Sequence, residues 1–312
     1  MKNISLLFKA NLLFAAFFIA LPGMAAMLPE LSHQAYQWPE VNAKAAAKMF
    51  TAAARRDGKE KDKVKEVKNA IEKEKVDVNL IENPDTGYTA LHFAAEAGNY
   101  EVVEYLVGTA KAEVNKEDIF LSTALHYAAK GGAWEPEENA QWESARKKHY
   151  DDEQKYLAVV KYLVDPEKGN ANQYIEDREL RTPLSYAVEA GYVNVATYLI
   201  ETSQIDFKAP TDPEKLPLLH YAVLSGKYEM VELIICQNVD VNETTDAANG
   251  KTALMLAAQK GDIEIVKYLA KQGYINFRAV DEAGKTATQY AQENGHQEVA
   301  DFLSAEEEST TN

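Results

Sequence analysis

The residues that invite a chemical reading are few. Gly250-Lys251-Thr252 and Gly284-Lys285-Thr286 share the ending of a phosphate-binding loop, in which backbone amides cradle phosphates and a lysine reaches them. Such a loop needs a glycine five residues ahead of each Gly-Lys pair, where Thr245 and Ala279 stand, so nucleotide binding is not expected. His92, His126 and His220 could ligate a metal, yet no His-Glu-x-x-His or Cys-x-x-Cys spacing accompanies them. Cys236 is the single cysteine, which excludes an internal disulfide and a Cys-rich zinc site. It has no matched base, and no Gly-x-Ser-x-Gly elbow occurs, so nucleophilic catalysis has no support. The expectation is a chain with no catalytic residues, no cofactor and no metal.

The elements that carry these residues repeat. Six segments align: Thr89-Ala-Leu-His-Phe-Ala-Ala95, Thr123-Ala-Leu-His-Tyr-Ala-Ala129, Thr182-Pro-Leu-Ser-Tyr-Ala-Val188, Leu216-Pro-Leu-Leu-His-Tyr-Ala222, Thr252-Ala-Leu-Met-Leu-Ala-Ala258 and Thr286-Ala-Thr-Gln-Tyr-Ala-Gln292. Their first residues are spaced by 34, 59, 34, 36 and 34. A glycine follows each, at Gly98, Gly131, Gly191, Gly226, Gly261 and Gly295, and then an apolar helix such as Glu264-Ile-Val-Lys-Tyr-Leu269. Thr89, Thr123, Thr182, Thr252 and Thr286 stand where a hydroxyl caps a helix start, and Pro183 takes the first helical position. The glycines provide the left-handed turn that ends the first helix, and Asn238 does the same after a second helix.

The pattern resembles the ankyrin repeat family, with its T-P-L-H-x-A-A-x-x-G signature and a period near 33 residues. The resemblance implies an all-α solenoid of stacked helix-turn-helix units with protruding hairpin-like loops. It places the three histidines as structural residues bonding the neighbouring loop, with His296 opening a second helix. Asn79, Asn115, Asn172, Asn242 and Asn276 would stabilise the turn after it. The solenoid is expected over 44–306, as an N-terminal cap repeat 44–84 followed by repeats 85–118, 119–177, 178–211, 212–247 and 248–281. A polar C-terminal cap, 282–306, and an acidic tail, 307–312, would complete it.

Residues 1–25 read as an export signal, with Lys2 and Lys9 ahead of a short apolar run that Pro22 and Gly23 break. About 12 apolar residues are too few for the roughly 20 that span a bilayer. Cleavage would leave an N-terminal arm, 26–43, and a protein in the periplasm or secreted, with delivery into a host cell as the alternative. The 49 acidic against 33 basic residues give a net charge of −16, the wrong sign for binding nucleic acid. No membrane contact of the mature form is expected, and the chain reads as a monomer.

Two departures from the repeat stand out. The 59-residue spacing leaves about 25 extra residues, an insert at 133–156, in which Trp142, Ala145, His149 and Tyr156 continue the stripe of the following helix. That phase predicts a second helix extended backwards by several turns. Leu216 stands where a capping threonine is expected, which should weaken that repeat.

The function expected is that of a non-enzymatic scaffold binding another protein through the concave face, with the insert as a second contact. Tyr88, Phe120, Trp134, Trp142, Arg178, Arg181, Lys208, Asn249 and Arg278 are the candidate partner-binding residues, and the first helices add Glu96, Lys130, Glu189 and Gln259. Acids near the tips, among them Asp118, Asp177 and Asp281, favour a partner with basic features. A secreted effector acting on host proteins is an alternative. An enzyme or metal-dependent switch on Glu137, Glu138, His149, Asp151 and Asp152 is a remoter one.

Overall fold

Small residues at fixed positions bring the helices close enough to stack. Ala94, Ala95, Ala128, Ala129, Ala187, Ala222, Ala257, Ala258 and Ala291 are all wholly buried between neighbouring inner helices. The computed structural model describes residues 40–131, 142–205, 207 and 214–309, with 40–42 and 142–151 as backbone only. The signal at 1–25, nearly all of the arm, and the candidates Trp134 and Lys208 lie outside the described residues.

Fourteen α-helices are described, two to a repeat. They are α1 (Glu40–Ala54), α2 (Glu60–Lys68), α3 (Ala90–Ala97), α4 (Tyr100–Glu104), α5 (Ala124–Lys130), α6 (Trp142–Val164) and α7 (Pro183–Glu189). Then follow α8 (Val193–Thr202), α9 (Leu218–Ser225), α10 (Tyr228–Ile235), α11 (Ala253–Lys260), α12 (Ile263–Ala270), α13 (Ala287–Glu293) and α14 (Gln297–Ser309). From α3 onwards the odd-numbered helices pack in succession as an inner layer. The even-numbered helices from α2 do the same as an outer layer. Leu91, Leu125, Leu184, Leu219 and Leu254 fill the space between layers with Leu106, Leu163, Leu199 and Leu269, all buried. Truncating one such leucine to alanine costs about 2–5 kcal/mol. The α6 backbone is one continuous helix of 23 residues from Trp142. None of the described helices is long and apolar enough to cross a membrane.

The inner helices α3, α5, α11 and α13 begin with a reciprocal cap, and α7 with its threonine half alone. Thr182, Thr252 and Thr286 accept the amide of the residue three positions on, all at 3.3 Å. In return the Thr286 amide donates to Gln289 Oε1 at 2.9 Å. The Thr89 and Thr123 amides donate to Nδ1 of His92 and His126 at 3.1 and 3.0 Å. An accepting Nδ1 puts the proton on Nε2, and that atom of His126 reaches the Arg181 carbonyl at 3.2 Å, tying two repeats together. Burial lowers the affinity of His92, His126 and His220 for a proton.

One expectation is corrected here. The residue in the capping position of the fourth motif is Pro217 and not Leu216, because α9 starts at Leu218 and His220 then falls three residues after the cap as in the other repeats. Proline offers neither an amide proton nor a hydroxyl. The His220 Nδ1 is accordingly buried without a hydrogen bond, although its Nε2 still reaches the Lys251 carbonyl at 2.7 Å.

The asparagines do more than stabilise their own turns. Asn79, Asn115 and Asn242 accept the amides of Glu113, Asn172 and Asn276 in the next repeat, each at 2.8 Å. The hydrogen-bonding capacity of Asn242 is thus committed to the fold, since its Nδ2 also donates to the Tyr274 carbonyl at 2.6 Å. The turn glycines all have positive φ, and at Gly261 a Cβ would stand 2.4 Å from the His296 ring.

Candidate functional site: a groove on the concave face

The loop tips are built around buried aspartates. Asp118 Oδ1 accepts the amides of Phe120 and Ser122 at 2.7 and 2.9 Å, while Oδ2 accepts the Tyr127 hydroxyl at 2.5 Å. Asp177 holds Glu179, Arg181 and Tyr186 in the same way, and Asp281 holds Ala283, Lys285 and Tyr290. The Tyr88 and Tyr127 hydroxyls lie 2.6 Å apart. Tyr127 has one proton to give and the carboxylate is the stronger acceptor, so Tyr88 donates to Tyr127, which donates to Asp118. Burial, reinforced by these bonds to carboxylates, pushes the Tyr127 and Tyr186 phenols well above their ordinary range and that of Tyr290 up to about 12. Of the tip acids expected to favour a basic partner, Asp118, Asp177 and Asp281 are therefore buried and spent on the loops, while Asp85, Glu117 and Asp246 are exposed.

A second device crosses the concave face in the third, fifth and sixth motif-bearing repeats. The residue before the cap reaches across to the residue eight further on, at the end of the same inner helix. Arg181 bonds Glu189 at 2.7 Å, Lys251 bonds Gln259 at 3.1 Å and Lys285 bonds Glu293 at 2.7 Å. Arg181 also pairs with Glu179 and lies over the rings of Tyr186 and Tyr221 at 5.3 and 5.4 Å. These straps are half exposed, so each contributes at most about 1 kcal/mol. Their importance is geometric, because they occupy the concave surface between the tips and the ends of the inner helices.

The first, second and fourth of the six motif-bearing repeats lack the strap; the fourth carries Leu216 and Leu224 at the two positions, whereas the first two keep polar groups there. The pairs in those two are Tyr88 with Glu96 and Ser122 with Lys130, and neither can form an ion pair. A groove of about 390 Å³ opens at that place, with Tyr88, Tyr127 and Tyr186 among its aromatic lining and Phe120 at its edge. Lys130 stands 5.4 Å from the centre of the Tyr186 ring. Burial holds the Glu96 carboxyl above its usual range, opposed by Arg56 and Lys130.

The structure brings Tyr88, Phe120 and Arg178 together at this groove. Arg181 is committed to its strap, and Arg278 donates to the Glu307 carbonyl of α14 at 3.0 Å. Asn249 is an exposed left-handed tip outside the groove lining, its carbonyl accepting the Glu282 amide at 3.3 Å. Trp142 is described only as backbone at the start of α6. Among the described residues no group of three or more His, Cys, Asp or Glu side chains could hold a metal ion.

Tyr127, Tyr186 and the tip leucines Leu121 and Leu180 were not singled out from the sequence. The tyrosines could have been found from Asp118, Asp177 and Asp281, each nine residues ahead of a tyrosine. Leu121 and Leu180 have φ of 61° and 58°, at the tip position where Gly87, Gly250 and Gly284 stand in other repeats. A side chain held there costs roughly 1–2 kcal/mol.

The ankyrin-repeat profile, described as Ankyrin repeats (3 copies), matches residues 49–142 and 219–312. The chain belongs to the ankyrin repeat family. It is 27% identical over 226 residues to a transient receptor potential cation channel subfamily A member 1 homolog of Caenorhabditis elegans, covering 72% of this chain and 16% of that protein. It is 30% identical over 150 residues to the palmitoyltransferase AKR1 of Lachancea kluyveri, covering 47% and 20%. This ankyrin-repeat chain thus spans a fifth or less of the length of these curated relatives. Among solved structures it is similar to a chain in the complex of the predatory endopeptidase Bd0816 from Bdellovibrio bacteriovorus with the immunity protein Bd3460. That likeness has 26% identity and a TM-score of 0.53 and covers 69% of this chain and 96% of that one. The human ASB11 ankyrin repeat domain shares the fold, with a TM-score of 0.61 at 20% identity over 82% of this chain and 96% of that one.

Proposed function

We propose that the protein is a non-enzymatic scaffold that holds a partner protein on its concave face, with the unstrapped groove between the first three motif-bearing repeats as the contact. The observation that carries this reading is the pattern of the straps. Where they are present, cations and acids satisfy one another within the chain. In the first two repeats, where polar residues stand at the strap positions without forming it, an aromatic groove is left open to a partner, and aromatic residues are the usual anchors of protein interfaces. A photo-crosslinking residue placed at Phe120 should trap a partner in the native compartment, and the same residue on the outer helix at Glu232 should not. Trapping only from Glu232 would overturn the concave-face reading.

A narrower reading is supported by the likeness to a chain from an endopeptidase–immunity protein complex. On this reading the partner is a hydrolase of the same compartment, which the solenoid restrains. The export signal read in residues 1–25 is consistent with a periplasmic or secreted setting for both. Fractionation with periplasmic markers tests that location, and recovery in host cells would favour the effector alternative instead.

A further inference from the structure

We propose that Phe120, Leu121 and Leu180, together with Lys130 and Arg178 of the adjoining groove, form an anchor site for a partner-protein loop that presents an apolar side chain beside a carboxylate. The inference rests on the concave-face reading above and names the chemistry of the partner. Three observations converge on it.

The first is the backbone. Tips of the same register carry glycine at Gly87, Gly250 and Gly284, so this fold has an unstrained residue for the position and uses it. At Gly87 and Gly250 a Cβ would meet the next hairpin at 3.0 Å, which makes a side chain there still less welcome. Leu121 and Leu180 nevertheless adopt the left-handed conformation in two successive repeats. Strain at such positions points to a role outside the fold.

The second is exposure. Phe120 and Leu121 are 48% and 42% exposed, two large apolar side chains adjacent at one tip. The Arg178 amide donates to the Phe120 carbonyl at 2.9 Å, which joins this tip to the one carrying Leu180. Leu180, half-buried, thus stands on a tip whose backbone is joined to the one that exposes Phe120 and Leu121.

The third is charge. Arg181, Lys215 and Lys285 on this side of the molecule all pair with carboxylates of the chain. Among the described residues Lys130 and Arg178 form no salt bridge and both are exposed at the groove, where Glu96 acts on Lys130 only through space and is itself largely buried. A partner carboxylate completes what the missing strap leaves open.

The test is selection from a displayed random-peptide library on the full chain, followed by affinity measurements with synthetic peptides of the selected sequences. Selected peptides should carry Asp or Glu next to a large apolar residue. The double substitution Leu121→Gly with Leu180→Gly should weaken binding at least tenfold while raising the melting temperature, a combination that a purely structural role for the leucines would not give. Lys130→Glu with Arg178→Glu should weaken it similarly. No selection above background, or selected peptides without an acid, would overturn the proposal. Binding that ignores these substitutions but is lost in Asn249→Arg overturns the anchor site and leaves concave-face recognition standing. Binding indifferent to all of them overturns both. A dimer in light scattering that Leu121→Gly dissolves would make a second copy of the chain the occupant and overturn it too.

Discussion

The hydroxyl of Tyr127 donates to Asp118 Oδ2 at 2.5 Å, and the same bond joins Tyr186 to Asp177 and Tyr290 to Asp281, always across nine residues. One carboxylate thus closes a tip with one oxygen and fastens it to the following inner helix with the other. Asp118→Ala strands the amides of Phe120 and Ser122 together with the buried phenol. It should destabilise the chain by about 3 kcal/mol, and Tyr127→Phe by about 1 kcal/mol. Chemical denaturation of the two variants against the parent checks both the values and their order.

The buried histidines set a pH dependence. Their folded-state proton affinity is lowered by burial, so the unfolded chain takes up protons first, at its ordinary histidine value near 6.5. Their contribution to stability is complete above about pH 6.5 and is lost as pH falls below it toward the lowered folded values. Glu96 works in the opposite sense at lower pH, because its raised carboxyl makes the folded state the better proton acceptor above the usual glutamate range. The variant His126→Gln separates the two, since Gln289 already fills that slot in the last motif. It should lose less stability than the parent between about pH 7.5 and pH 5.5, read from denaturation midpoints.

The fourth motif-bearing repeat should gain from a residue used elsewhere. Pro217→Thr provides the amide and hydroxyl that His220 Nδ1 lacks, at a cap whose worth is about 1 kcal/mol, less the rigidity that proline confers. A net stabilisation of about 0.5 kcal/mol is expected. In the parent, hydrogen exchange should show α9 opening more readily than α11, and the substitution should narrow that difference. Equal protection of the two helices in the parent would contradict the account.

Much of this was legible because the repeat puts chemically special residues at fixed spacing. Thr89, Thr123, Thr182, Thr252 and Thr286 announced helix starts, and the glycines announced their ends, since one backbone conformation at each place suits few residue types. Pro217 was misplaced by one residue because Leu216-Pro-Leu can be laid on the motif in two registers, and only the helix start decides between them. The aspartates were read as surface charge, because a sequence does not show whether a carboxylate faces water or three donors of its own loop. Leu121 and Leu180 escaped notice for a similar reason. A leucine in a tip is unremarkable until its φ is known.

The long helix α6 carries Tyr156, Val160 and Leu163 in one phase along its buried side. Glu153 on it is only 5% exposed, and its carboxylate accepts the Asn194 amide at 2.6 Å and the Asn194 Nδ2 at 2.9 Å. A negative group there meets the free amides and positive dipole end of α8, so one repeat caps the outer helix of the next. Glu60 does the same for α4 through the Glu101 amide at 2.9 Å. Glu153→Ala removes the charge and leaves a buried amide unpaired, for an expected loss of about 2–3 kcal/mol. Glu153→Gln keeps an acceptor and should lose about half of that. Because the interaction crosses a repeat boundary, the alanine variant should also reduce the cooperativity of unfolding, seen as a shallower denaturant slope. A loss of stability with an unchanged slope would mean that the cap acts within α8 and does not couple the repeats.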